Sequence, residues 1–374
     1  MKKIQMVDLG SQYHRLKSEI DQAISSVLES CAFINGPEVK IFQQELESYL
    51  NIKHVIPCAN GTDALQIAMM AYDFQPEDEV ITADFTFIAT AEVIALLKLR
   101  PVLVDVDPEY FTLDPEQVRK AITPKTKAIV PVHLFGQCAD MKPLLEIAQE
   151  HNLIVIEDVA QALGANHNGF ENPLKAGAIG DIGCTSFFPS KNLGCYGDGG
   201  AIFTQDDNIA AKIRMIVNHG QSKQYYHDSI GVNSRLDSIQ AAILKVKLKY
   251  LDDFNEKRNI VANFYNQQFA NQPKVITPKT APYSTHVYHQ YTMQIVGADR
   301  WKLREFLSER NIPSMIYYPV PLHLQKAYLD ARYQLGDFPI TEKLCETVLS
   351  LPISTEMDME QLTYITNSVN EFLA

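Results

Sequence analysis

The chain has 374 residues, too many for one simple core and too few for a string of modules, so one large and one smaller domain are expected. Its 46% hydrophobic and 21% charged residues are those of a folded globular protein and exclude a long disordered tract. With 33 Lys and Arg against 45 Asp and Glu the net charge is -12, which works against general affinity for nucleic acid or an anionic membrane; an anionic ligand must meet locally arranged donors.

The first residues, Met1 to Tyr13, pass from two lysines straight into polar sequence, so no signal peptide is expected. No run approaches the ~18 apolar residues of a spanning helix. Cysteines 31, 58, 138, 184, 195 and 345 form no CxxC pair, which fits reduced thiols of a cytoplasmic protein better than disulfides or a metal site. Leu16, Ile20, Ala23, Ile24, Val27 and Leu28, then Val39, Phe42, Leu46 and Tyr49 after Gly36-Pro37, predict two amphipathic helices. Short apolar runs at 55–56, 79–82, 102–104, 128–130 and 153–156 alternate with longer helix-like segments, the pattern of a parallel sheet wound with helices. Runs at 184–188 and 201–203 lack a full crossover helix between them, so an antiparallel or short strand is expected there. One helical stretch is predicted from Asp237 towards Phe254. A small α/β domain then follows, with a helix near 257–270, a strand from Tyr288 to Ile295, a helix from Trp301 to Arg310, a strand around Met315 and a terminal helix near 358–373. The expected division is 1–250 and 251–374.

In an open α/β sheet, ligands bind at the carboxyl ends of strands, so the residues just after each apolar run carry the functional information. Gly61 and Thr62 open a helix-like run and offer free backbone N–H groups to a phosphate, or form an ordinary helix cap. Asp158 ends a buried strand. Facing a protonated ring nitrogen within about 4 Å, it would favour protonation by ~4 kcal/mol at an effective dielectric near 20; a metal ligand or helix cap is the other reading. Lys191, in Ser186-Phe187-Phe188-Pro189-Ser190-Lys191-Asn192, precedes a glycine-rich turn and could hold a phosphate as a point charge or form a Schiff base with an aldehyde. Phe87 could cover a flat aromatic cofactor or sit in the core. Asn233 and Arg235 could bond phosphate or carboxylate oxygens, or make surface contacts.

Taken together, Gly-Thr-Asp-Ala, Thr-Phe-x-Ala-Thr, Glu-Asp-x-Ala-Gln-Ala, Ser-Phe-x-x-x-Lys-Asn, Gly-Asp-Gly-Gly and Gly-x-Asn-x-Arg-Leu-Asp, in this order, resemble the nucleotide-sugar aminotransferases of the DegT/StrS group. These are pyridoxal-phosphate enzymes of fold type I, and the resemblance runs nearly end to end. It implies that Lys191 is the Schiff-base lysine, that Asp158 pairs with the pyridine nitrogen and that Gln161 bonds the ring oxygen. Phe87 would stack on the ring, and Gly61, Thr62 and Ser186 would form the phosphate cup. Asn233 would be donated to the phosphate of a neighbouring subunit, which implies a homodimer.

The implied reaction is transfer of an amino group from L-glutamate to a nucleotide-linked keto sugar, in amino-sugar biosynthesis for surface polysaccharide such as lipopolysaccharide. The segment Met315 to Tyr328 is similar to the branch that aminates C3 of UDP- or dTDP-linked 3-keto sugars, including 3-keto glucuronic acid derivatives. Tyr317 stands where a histidine is common. Lys223, Tyr226, Arg235, Tyr317, Tyr318 and His323 are candidate contacts to sugar or diphosphate, with surface roles as the alternative. A 4-keto sugar aminotransferase, a sugar dehydratase of the same family and a non-catalytic regulatory module are the rival readings. In the dehydratases the lysine position holds histidine, so Lys191 argues for transamination.

Overall fold

The computed structural model describes residues 2–374. Helices α1 (Leu9–Ser30) and α2 (Pro37–Leu50) open the chain. Asp8 caps α1 by accepting from the Ser11 amide, and Pro37 begins α2, where a missing N–H costs nothing. Then β1 (His54–Cys58), α3 (Gly61–Ala71), β2 (Glu79–Ala83), α4 (Ala89–Leu96), β3 (Arg100–Val104), α5 (Pro115–Ala121), β4 (Thr126–Val130), α6 (Met141–His151) and β5 (Ile154–Asp158) alternate, as the apolar pattern predicts. A small ribbon of β6 (Asn166–His167) and β7 (Leu174–Lys175) precedes β8 (Ile182–Ser186) and β9 (Gly200–Thr204).

The main sheet has seven strands in the order β1-β9-β8-β5-β4-β2-β3. Strand β9 runs antiparallel to β8 and β1, the return expected where no crossover helix intervenes; the other pairings are parallel. Alternation sends Ile56, Val80, Ala128, Val130 and Ile202 to one face, against α3, α4 and α7 (Asp207–Ile216). Ile81, Ile129 and Val155 point to the other, over α5 and α6. The carboxyl ends of β1, β2, β5 and β8 and the start of β9 share one edge, where the candidate residues gather.

After α7 comes a hairpin of β10 (Gln221–Lys223) and β11 (Tyr226–His227), then α8 (Ser238–Leu248) and α9 (Leu251–Phe269). The single helix expected from Asp237 to Phe254 is therefore broken. Tyr250 leaves helical geometry at φ -108, ψ 3, because the two halves bury their stripes against different partners. Helix α8 lies on α1 and α2, whereas α9 packs on the terminal helix α12 (Met359–Leu373). The small sheet joins β12 (Val275–Ile276), β13 (Tyr291–Ile295) and β14 (Val348–Leu351), with α10 (Arg300–Glu309) and α11 (Pro339–Thr347) beside it. Met315 makes only a single bridge, to Ser350, in place of the expected strand. One apolar core runs from Ile81, Ile129 and Val155 into Met293, Leu349 and Leu351, so the two sheets meet through packed side chains. Among the described residues no helix is long and apolar enough to cross a membrane, and no cluster of His, Cys, Asp and Glu could hold a metal.

Candidate active site

Two consecutive carboxylates end β5 and point to opposite faces. Glu157 is fully buried and saturated: it accepts from the amides of Gly177 (2.9 Å), Ile179 (2.8 Å) and Gly180 (2.7 Å) and from His133 Nε2 (2.8 Å). The His133 tautomer is set by its Nδ1, which accepts from the Ala139 amide at 3.0 Å. Among the described residues the Asp158 carboxylate receives only the Thr90 hydroxyl (2.9 Å) and the Ala160 amide (3.1 Å), so it keeps acceptor capacity. Gln161, on the turn that follows, accepts from the Phe135 amide at 2.7 Å and donates to the Tyr318 hydroxyl at 3.2 Å. One amide hydrogen of Gln161 remains for a ligand.

Lys191 sits in a tight turn after β8. The turn is closed by Lys191 N to Phe188 O (2.8 Å), Cys195 N to Phe187 O (2.8 Å) and Phe187 N to Gly199 O (2.7 Å). A Cβ on Gly194 would fall 2.3 Å from the Pro189 carbonyl oxygen, so only glycine closes it. Asn192 braces the turn through Asn255 (2.7 Å) and the Val287 carbonyl (2.9 Å), and the buried Lys247 ammonium donates to the Gly194 carbonyl. The Lys191 amine itself makes no hydrogen bond or ion pair among the described residues. Burial lowers its pKa from 10.5 to about 8, with the charge of Asp158 pulling the other way. An unpartnered amine whose pKa is brought down towards physiological pH is what a nucleophile or proton carrier requires.

Helix α3 presents its N-terminus to the same space. Asn60 caps it by accepting from the Asp63 amide at 2.8 Å, which leaves the amides of Gly61 and Thr62 without an acceptor among the described residues. A Cβ on Gly61 would lie 2.6 Å from that of Ser186, and one on Gly200 would lie 2.4 Å from the Asn60 carbonyl oxygen. These glycines let the loop close into a cradle with Ser186. Phe87, in the loop after β2, is 53% exposed despite its apolar ring, and its centroid lies 6.2 Å from that of Tyr318.

The other sequence candidates separate. Arg235 is half-buried and makes no ion pair among the described residues. Its neighbour Ser234 accepts from the Ala59 amide at 3.0 Å, which anchors this loop beside the start of α3, while Asn233 is exposed. Lys223 and Tyr226 lie on the exposed β10–β11 hairpin, where the ammonium covers the Tyr226 ring at 5.6 Å; they do not touch the Lys191 cluster. Tyr317 lines a cleft of about 340 Å³ with Ser190, His289 and Gln290. His323 requires a correction. It is 1% exposed, with its ring held by Asp84, so it does not face a sugar; the physical reason is a carboxylate 239 residues away that takes both its ring and its backbone N–H.

Residues 14–370 match the model of the DegT/DnrJ/EryC1/StrS aminotransferase family. The chain belongs to this family. It is 46% identical over 99% of its length to a Geobacillus stearothermophilus protein named pleiotropic regulatory protein, covering 98% of that chain. It is 44% identical to the UDP-2-acetamido-2-deoxy-3-oxo-D-glucuronate aminotransferase of Pseudomonas aeruginosa, over 97% of this chain and 98% of that one. Among solved structures, S. venezuelae DesV in complex with a ketimine intermediate superposes with a TM-score of 0.95 at 38% identity, covering 100% of this chain and 99% of that one. The protein is thus an aminotransferase of the pyridoxal-phosphate-dependent kind.

The residues present fit that cofactor. A cradle that a Cβ would fill, free amides at a helix N-terminus, an exposed phenylalanine face, a carboxylate with spare acceptor capacity and an unpartnered lysine all lie at or shortly after the carboxyl ends of strands of the main sheet. Sequence reasoning missed some of the supporting groups. Thr90 is a buried hydroxyl between two alanines in the first turn of α4, a signal that could have been read as a partner for Asp158. His289 is buried, with an unpartnered Nδ1; burial and the charges of Lys191 and Arg258 push its pKa down and keep it neutral. Nothing in its local sequence marks it.

Proposed function

We propose that this aminotransferase moves an amino group from L-glutamate to C3 of a UDP-linked 3-keto sugar, of the uronic acid kind named for the Pseudomonas aeruginosa relative, in the cytoplasm and for surface polysaccharide. The observation that carries the reading is the unpartnered Lys191 amine, with its pKa lowered, beside a strand-end Asp158 that keeps acceptor capacity. Pyridoxal phosphate, when bound, supplies the electron sink for loss and gain of a proton at the reacting carbon. Asp158 holds the proton on the ring nitrogen, and Thr90 keeps its carboxylate oriented. Gly61, Thr62 and Ser186 hold the phosphate, Phe87 covers the ring face, and the free Gln161 amide hydrogen bonds the ring oxygen. Lys191 holds the cofactor at rest and, once released, carries a proton from the donor's α-carbon; with the keto sugar it carries one back.

Arg235, a half-buried cation with no ion pair among the described residues, suits a diphosphate or sugar carboxylate, with Tyr317 and Tyr318 facing the sugar. The exposed hairpin side chains Tyr225, Tyr226 and Ile230 and the exposed Asn233 support a homodimer in which Asn233 reaches the partner's phosphate cup. The break between α8 and α9 supports a cofactor domain of 1–250 and a smaller domain of 251–374.

The name of the Geobacillus relative points to regulation, and intact Lys191, Asp158 and Gln161 favour catalysis here. One assay separates these readings: UDP- and dTDP-linked 3-keto and 4-keto sugars are each offered with glutamate, and amino-sugar product is detected by mass. Amination of a UDP-linked 3-keto sugar is expected. Preference for a 4-keto sugar would overturn the substrate assignment, and no product from any of them would overturn the enzymatic role.

A further inference from the structure

The buried pair Asp84–His323 takes no part in the proposed chemistry, yet it joins the two walls of the site. Asp84 follows β2 and is 1% exposed, three residues before Phe87; His323 follows Tyr318 by five. Both Asp84 carboxylate oxygens are used by this one partner: Oδ1 accepts from the His323 amide at 2.8 Å and Oδ2 from its Nδ1 at 2.6 Å. The Asp84 carbonyl also accepts from the Leu322 amide at 3.3 Å, and its amide continues the sheet through the Val104 carbonyl at 2.9 Å. Beyond the pair, Glu342 Oε1 stands 3.4 Å from His323 Nε2 and accepts from the Gly336 amide, and the Phe338 ring lies 4.7 Å from the imidazole. Three bonds in a dry setting thus tie residues 322–323 to the end of β2.

Tyr318 is where this matters. Its ring meets those of Phe85 and Phe87, both at 6.2 Å, and its hydroxyl accepts from Gln161. Apart from those contacts, the segment that carries it reaches β2 through Asp84. The cup of Gly61, Thr62 and Ser186 and the Lys191 turn are held by separate bonds to β1, β9 and α8. We propose that Asp84–His323 is a positioning pair that fixes Tyr318 against Phe87 at the face where the keto sugar must enter, without contributing to the hold on the cofactor. This rests on the sugar-amination reading. The pair sets where the acceptor sugar is gripped, so its loss separates the two halves of the reaction.

The test compares His323→Leu, which removes the ring donor, with His323→Asn, whose amide replaces Nδ1, and with Asp84→Asn. With His323→Leu, pyridoxal phosphate binding and the glutamate half-reaction are expected to stay within about threefold of wild type. The kcat/KM for the keto-sugar nucleotide should fall about 30-fold, as for a lost charge-assisted buried bond, and His323→Asn should recover most of it. If His323 acts through Tyr318, adding Tyr318→Phe to His323→Leu costs little more than either change alone. In cofactor-free His323→Leu protein, amide hydrogen exchange should quicken in 316–324 and stay unchanged in 84–88, where the Asp84 amide remains bonded to the Val104 carbonyl, and in 184–192. Equal losses in both half-reactions, no recovery by asparagine, or unchanged exchange in 316–324 would overturn the pair's role. Wild-type protein that aminates no sugar nucleotide while these exchange changes occur would instead overturn the reaction assignment and leave the positioning intact.

Discussion

The edge of the main sheet and the β10–β11 hairpin both carry polar and aromatic groups offered for ligand contact, under opposite conditions. At the sheet edge, Glu157, Gln161, Ser186 and the Lys191 turn are braced by bonds from several elements of the same chain, and what remains unpartnered, Lys191 and part of Asp158, is what the chemistry needs. On the hairpin Tyr225 is 80% exposed, Ile230 just after it is 87% exposed, and among the described residues the Lys223 ammonium meets only the Tyr226 ring. A side chain held by its own fold can be assigned a role from one chain. One held by nothing needs a second molecule before its role exists, and the dimer proposal supplies that molecule.

The largest expected effect lies at the edge. Lys191→Ala should lower turnover about 10³-fold or more, measured as amino-sugar formation, because both proton transfers lose their carrier. Asp158→Asn should retain bound cofactor and lose about 100-fold in kcat, since a neutral amide cannot hold the ring proton; near wild-type turnover would remove Asp158 from the mechanism.

The hairpin side is sharpened by mixing. Asn233→Ala alone should weaken cofactor binding about tenfold. When Asn233→Ala protein is mixed with Lys191→Ala protein and subunits exchange, activity at limiting cofactor should rise above that of either protein alone, because one of the two sites then holds both side chains. No recovery on mixing would place Asn233 in its own chain's site.

The smallest effect is a pH dependence at the edge. The Lys191 amine has a pKa of about 8 in the fold against 10.5 ordinarily, so between these values the unfolded chain binds more protons. Stability of the cofactor-free protein should therefore rise with pH across that window, by at most about 3 kcal/mol, and Lys191→Met should flatten the rise in a denaturation series.

Much of the sheet edge was legible in the sequence because Gly61, Phe87, Asp158 and Ser186 stand at or within a few residues of the ends of apolar strands, so their place could be read before any contact was known. The antiparallel β9 was foreshadowed by the missing crossover. What was not legible depends on distant partners. Nothing around Pro321-Leu322-His323 shows that Asp84 accepts from the imidazole Nδ1, and nothing between Asp237 and Phe254 shows that α8 and α9 bury their stripes on different neighbours. Helix α11 and β14 were missed because they are short, nine and four residues, and adjoin without a turn residue between them; α11 is held by Asp105, which accepts from the Ile340 and Thr341 amides, and β14 by pairing with β13.

The most direct measurement is chemical trapping. Wild-type protein is loaded with pyridoxal phosphate, reduced with borohydride, digested and read by mass spectrometry. The account predicts a pyridoxyl group on Lys191, lost when glutamate is added before reduction. A label on another lysine, or none at Lys191, would contradict it.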